Sequence, residues 1–134
     1  MLKQLFKPES PYKKRARTLT IGWTLLIFIL CFIPGQEFPE VHIPMADKWV
    51  HFILFAVFSF LWLCAGPTKK ILPILVAFAA GALLGWLVEE LQGALVSLGR
   101  SKNVQDIYAD MLGSAIGVLV FRIGMSLTAK TQSR

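Results

Sequence analysis

The chain has 134 residues, 55% of them hydrophobic, with a mean hydropathy of +0.61 and a formal net charge of +6. A water-soluble domain this small needs a polar shell over most of its surface, and this composition does not supply one. The cationic excess does not make a nucleic-acid surface either, because Lys and Arg gather at the edges of apolar runs without aromatic interleaving.

Residues 1–17 read as a basic, proline-containing leader with no apolar face, carrying Lys3, Lys7, Lys13, Lys14, Arg15 and Arg17. The first apolar run, Leu19 to Ile33, is closed by Pro34-Gly35. The leader is long and no small-x-small site precedes the break, so an uncleaved span over about 18–33 is expected rather than a signal peptide. Residues 34–46 hold three prolines and two acids. They read as an extracytoplasmic loop, with Phe38 and Val41 at the interface and His42 in solvent. A second span over about 48–65 ends at the turn Gly66-Pro67-Thr68-Lys69-Lys70. A third, about 71–98, is long enough to cross with tilt. Residues 99–105 form a second outer loop, a fourth span covers about 106–127, and 129–134 are a short tail. The membrane domain is thus 18–128, an all-α, integral membrane four-helix bundle.

Orientation follows from charge. Ten Lys and Arg fall in the leader, the 66–70 turn and the tail, against Arg100 and Lys102 in the outer loops. The positive-inside rule puts both termini in the cytoplasm, N-in/C-in. Cys31 and Cys64 lie near the ends of consecutive antiparallel spans, at opposite faces, so no bond between them is expected.

With that topology each remaining polar side chain can be placed by depth. Asp47, Lys48 and His51 lie within about 6 Å of the outer end of the second span. Glu89, Glu90 and Gln92 lie roughly 9–14 Å below the outer end of the third, and Asp106 and Asp110 sit near the top of the fourth. Faces agree with depths: Asp47 and His51 are spaced i, i+4 and share one side. Gly81, Gly85, Glu89 and Gln92 form one stripe, and Asp106, Asp110, Gly113 and Gly117 another. Small residues at such spacing let helix backbones approach closely. The third and fourth spans are expected to touch along these glycines and splay above them into a polar cleft.

An ionised side chain at bilayer depth costs about 2.5–3.5 kcal/mol on the insertion scale. Glu89 therefore needs a partner cation (Lys48, Arg100 or protonated His51) or a shared proton. Plainer readings exist for each element: N-capping by Asp47 or Asp106, interhelical hydrogen bonding by Glu89 and Gln92, ordinary loop charge for Arg100 and Lys102. His51 among carboxylates has the donor types for a divalent ion, but no HExxH, CxxC or paired-His spacing exists, so no metal or other cofactor is expected.

The order Asp47-Lys48-x-x-His51, Glu89-x-x-Gln92, Arg100-x5-Asp106-x3-Asp110-x2-Gly113-x3-Gly117 resembles the VanZ-like family over roughly residues 34–120. The resemblance implies a small polytopic protein of the bacterial cytoplasmic membrane. It points to Asp47, Lys48, His51, Glu89, Gln92, Arg100 and Asp106 as functional positions. The family's namesake is associated with low-level resistance to the glycopeptide teicoplanin. Two departures stand out: Asp110 where the family usually has Asn, and Phe55 where it often has Tyr.

Together these readings suggest an outward-facing polar site that recognises an envelope component, a lipid-linked precursor or a glycopeptide. In it Lys48, Arg100 and Lys102 meet anionic groups, and Glu89, Asp106 and His51 supply hydrogen bonds or proton transfer. Asp47, Gln92 and Asp110 complete the binding set. The alternatives are an enzyme acting on a lipid-linked phosphate or acyl group, with Glu89 or His51 as base and Asp106 assisting, and a small dimeric exporter. The expected partners are the bilayer, such an envelope component and a second copy of the chain, with no nucleic acid. The topology has a direct check: in intact cells, a membrane-impermeant maleimide labels a cysteine introduced at Lys102 but not one at Lys69. Labelling of the second alone inverts the orientation.

Overall fold

The structure, a computed structural model, describes residues 2–7, 9–34 and 44–132. Phe38, Val41, His42 and Arg134 lie outside the described residues, as does the Cys31 side chain. A short helix α1 (Leu2–Leu5) precedes four long ones: α2 (Lys13–Phe32), α3 (Ala46–Ala65), α4 (Ile71–Ala94) and α5 (Val104–Gln132). A 3-10 turn at Val96–Leu98 follows α4 and ends at Gly99, whose φ of 69° suits a residue without Cβ. No strand occurs among the described residues, and the fold is an all-α four-helix bundle.

Among the described residues three helices are long and apolar enough to cross a membrane: Ala46–Ala65, Ile71–Ala94 and Val104–Ala129. No more than a third of the residues in each span are buried within the protein. The outward faces carry Ile53, Leu72, Leu83, Leu112 and Leu127, all more than half exposed. That is the surface of a protein whose solvent is lipid, and the chain is a membrane protein. Four of the first five residues of α2 are cations, and its apolar run begins at Leu19.

Direction can be read from facing residues. Gly113 and Gly117 of α5 lie against the backbone of Phe52 and Ala56 of α3, so α3 and α5 run parallel. Gly81 and Gly85 of α4 lie against Ser114 and Asp110 of α5, so α4 runs antiparallel to both. The start of α3, the end of α4 and the start of α5 therefore share one end of the bundle, here the polar end. In contrast to the expected contact of the third and fourth spans along both glycine stripes, only the α4 stripe faces α5. The α5 glycines face α3. The reason is angular: Gly113 and Gly117 sit about 60° around α5 from Asp110 and Ser114 at 100° per residue. The two stripes on α5 thus serve different neighbours.

At the opposite end Phe6 packs against Phe60 and Phe121, with ring centroids 6.3 and 5.6 Å away. It fills the space over Gly124. The amino-terminal segment, expected to lack an apolar face, thus contributes Leu5 and Phe6 to the core around Ala16, Leu63, Cys64, Ile74, Ala77, Phe121 and Met125. A second core (Ile27, Phe55, Phe58, Val88) joins α2 to α3 and α4 nearer the polar end. Trp23 Nε1 adds a 2.8 Å hydrogen bond to the Leu54 carbonyl.

Helix association in lipid rests on close packing rather than on expelling water, so the glycine contacts carry unusual weight. A Cβ at Gly117 would overlap the Ala56 carbonyl oxygen, which is backbone and cannot yield. Gly117→Ala is expected to destabilise the bundle by about 1–3 kcal/mol. Gly22→Ala meets nothing within 4 Å and is expected to stabilise α2 by about 0.5–1 kcal/mol. Denaturation of both variants in mixed micelles checks the opposite signs.

Candidate functional site

The polar residues converge at the polar end. His51 Nδ1 lies 3.0 Å from Asp110 Oδ1 and 3.9 Å from Glu89 Oε1, joining α3, α5 and α4. Lys48, one turn nearer the end of α3, reaches Asp47 at 2.8 Å and Asp106 at 3.3 Å. Glu89 and Asp110 are completely buried, Asp106 nearly so. Asp47 is open, its side chain 57% exposed, whereas Lys48 and His51 are each 14% exposed. The site therefore grades from an exposed acid at the mouth to buried carboxylates within.

Local structure explains why these groups are free to meet. The N-cap of α5 is Asn103, whose side-chain oxygen accepts the Gln105 backbone N–H at 3.0 Å. Asp106, for which N-capping was an alternative, lies inside the first turn and turns toward Lys48. At α3 the N-cap position is Met45, with no side-chain cap and a left-handed φ of 59°. Asp47 does not cap that helix and instead pairs with Lys48. The Asn103 backbone N–H also donates to Glu89 Oε2 at 2.7 Å. That bond fixes the Glu89 carboxylate and leaves Oε1 aimed at His51.

Among the described residues several buried polar atoms have no hydrogen-bond partner: Glu89 Oε1, Asp110 Oδ2 and the hydroxyl oxygens of Ser59 and Ser114, whereas Asp106 Oδ1 faces the Lys48 ammonium. Such atoms are rare in folded proteins, and each asks for a reason. The two serines flank Gly81, below the carboxylates. They extend the polar strip toward the middle of the bundle. Sequence reasoning did not single them out, although Ser59 continues the i+4 series Asp47, His51, Phe55, and Ser114 continues Asp106, Asp110.

The cations divide in a way the sequence did not disclose. Lys48 enters the cluster as expected. Arg100 sends Nε to the Ile33 carbonyl at 2.9 Å and Nη2 to the Leu30 carbonyl. It thereby meets the negative end of the α2 dipole. Lys102 pairs with Glu90 on the surface, both side chains 40% exposed. Burial separates the adjacent carboxylates: Glu89 points into the bundle, Glu90 out of it. Gln92 is buried one turn beyond Glu89 toward the polar end. Of the expected anion-binding cations, then, Arg100 and Lys102 are directed at groups of this chain outside the cluster.

Chemically the site is a hydrogen-bond acceptor and potential proton store. Among the described residues, carboxylate oxygens of Glu89 and Asp110 flank the His51 imidazole, and the Lys48 ammonium screens the mouth. His51, Glu89 and Asp106 each offer one metal-ligating atom, all within 4.8 Å of one another. They come from three helices, so no local spacing rule could reveal them.

A family model described as VanZ/LLP1 matches residues 5–125. No curated protein and no solved structure matches the chain.

Removing one member of a buried charged pair strands the other, at a cost of about 3–5 kcal/mol. His51→Leu is expected to lose that much stability. His51→Leu combined with Asp110→Leu is expected to lose less than the sum of the single losses. A double-mutant cycle in detergent with coupling below about 0.5 kcal/mol would show that the pair is not formed.

Proposed function

The chain belongs to the VanZ/LLP1 family, and on that footing we propose that it is a multi-pass protein of the bacterial cytoplasmic membrane that recognises an envelope component at its polar end. In this reading both termini are cytoplasmic and the mouth at Asp47 opens to the cell exterior. The component is an amphiphile, a lipid-linked precursor or a glycopeptide. Its apolar part lies along the lipid-facing helices, and its head group enters between α3, α4 and α5.

The observation that supports this reading is the pair of buried, unpartnered carboxylate oxygens on Glu89 and Asp110 beside His51. Leaving such acceptors unmade costs about 1–3 kcal/mol each, and more when charged. A head group rich in hydroxyl and amide N–H donors recovers that cost. The site selects donors rather than anions, because the Lys48 ammonium already faces Asp47 and Asp106.

A second reading, transfer or hydrolysis on a lipid-linked phosphate or acyl group, is favoured by the His51–Asp110 contact beside Glu89. That arrangement can orient an imidazole for proton transfer. One experiment separates the two. Protein in nanodiscs is titrated with teicoplanin and with a lipid-linked cell-wall precursor, and the mixtures are analysed for product. Recognition predicts that Glu89→Gln weakens binding at least tenfold, that Glu90→Gln binds as the wild type does, and that no product forms. Equal binding by the wild type and Glu89→Gln overturns the proposal, and product that vanishes in Glu89→Gln moves the chain to the enzymatic reading.

A further inference from the structure

We propose that the polar end holds one divalent transition-metal ion, with His51, Glu89 and Asp106 as its protein ligands. The three donors lie within 4.8 Å of one another and come from α3, α4 and α5. Ligand bonds of about 2.0–2.2 Å in a tetrahedral site set donors roughly 3.3–3.5 Å apart, so side-chain adjustment of about an ångström closes the set. A cluster of acids alone would not make such a site. Here the decisive addition is that Glu89, fully buried, aims Oε1 into the cluster without a hydrogen-bond partner.

Charge supports the assignment. Two carboxylates and a neutral imidazole around a divalent ion make an electroneutral first shell, the form of this cluster that burial in an apolar medium penalises least. Lys48 stands 3.3 Å from Asp106 Oδ1 and competes for that oxygen. It retains Asp47 at 2.8 Å when the ion takes Asp106. Asp110, 3.0 Å from His51 Nδ1, is the outer carboxylate that orients a ligating imidazole. The exposed Asp47 carboxylate marks the way in.

The donor set selects the ion. One imidazole with two carboxylates suits Zn2+ or Mn2+, whereas Ca2+ takes six to eight oxygens. Three protein ligands leave a position open, as in sites that work on a substrate rather than sites that only brace a fold. The inference concerns the site proposed above to recognise a head group and rests on its geometry, whichever head group enters. It alters that reading in one respect: Glu89 and Asp106 then hold the ion, and the head group meets the ion's open position and Asp110 Oδ2.

The test uses the full chain in nanodiscs, stripped with a chelator and reloaded with Zn2+ or with Co2+ as a coloured stand-in. One Zn2+ per chain by calorimetry and Co2+ ligand-field bands of a nitrogen–oxygen site are expected. His51→Gln and Glu89→Gln each lose at least 100-fold in Zn2+ affinity. Asp110→Asn, which alters the outer partner only, loses about 10–100-fold. Glu90→Gln, whose carboxylate pairs with Lys102 on the surface, binds as the wild type does. Wild-type protein that takes up no Zn2+ and gives no Co2+ bands overturns the proposal whether or not the variants fold, as does unchanged affinity in folded His51→Gln and Glu89→Gln. Head-group binding without Zn2+ uptake sinks the metal alone, and Zn2+ uptake without head-group binding sinks the recognition reading alone.

Discussion

A carboxylate with no access to water must find its compensation inside the bundle, and the arrangement of the helices answers to that constraint at Glu89. The residue sits on α4, whose other positions are nearly all apolar. Its two oxygens reach the Asn103 backbone on one side and the vicinity of His51 on the other. Both contacts depend on α3 and α5 lying side by side and α4 running antiparallel against them. Separating any one of the three helices would leave a charge in hydrocarbon, an expense of several kcal/mol. The polar cluster therefore specifies helix pairing as well as chemistry.

Close approach is what makes the cluster possible. At Gly85 a methyl group would come 2.6 Å from the Asp110 side chain, so the absence of a side chain there is what lets Asp110 occupy the gap between α4 and α5. Gly81 does the same for Ser59 and Ser114. On the neighbouring face of α5, Gly113 and Gly117 bring the α3 backbone close enough for His51 to span the groove to Asp110. Packing and polarity are thus not separate layers of the structure. The glycines set the helix spacing at which the hydrogen bond between His51 and Asp110 has its 3.0 Å length.

The two departures from the family pattern fall at different depths of one strip. Asp110 is at the centre and supplies the acceptor that His51 faces. An amide in its place would present one acceptor and one donor rather than two acceptors. Phe55 lies one turn below His51, completely buried in the apolar cluster with Ile27, Phe58 and Val88. A phenol there would carry a hydroxyl toward that apolar layer.

The lengths of the apolar runs, the breakers between them and the i, i+4 spacing of Asp47 with His51 and Asp106 with Asp110 were enough to give four helices, their alternation and the end at which ionisable groups gather. Those features are local, and a helix of 3.6 residues per turn converts spacing into faces without further information. What each face meets was decided by tertiary structure. Glu89 and Glu90 are neighbours with the same side chain, and only the packing of α4 turns one inward and the other toward Lys102. Asp106 was the cap candidate read from the sequence, but the turn before α5 puts Asn103 at that position. Arg100 was a loop cation with several anions in reach, yet it lies on the carbonyls that end α2, 67 and 70 residues away in sequence. Phe6, in a segment that reads as polar, became a core residue because Gly124 leaves room for it. Sequence fixes a helical residue's angle about its own axis, but the partner at that angle depends on how the axes cross, and that is a property of the whole chain.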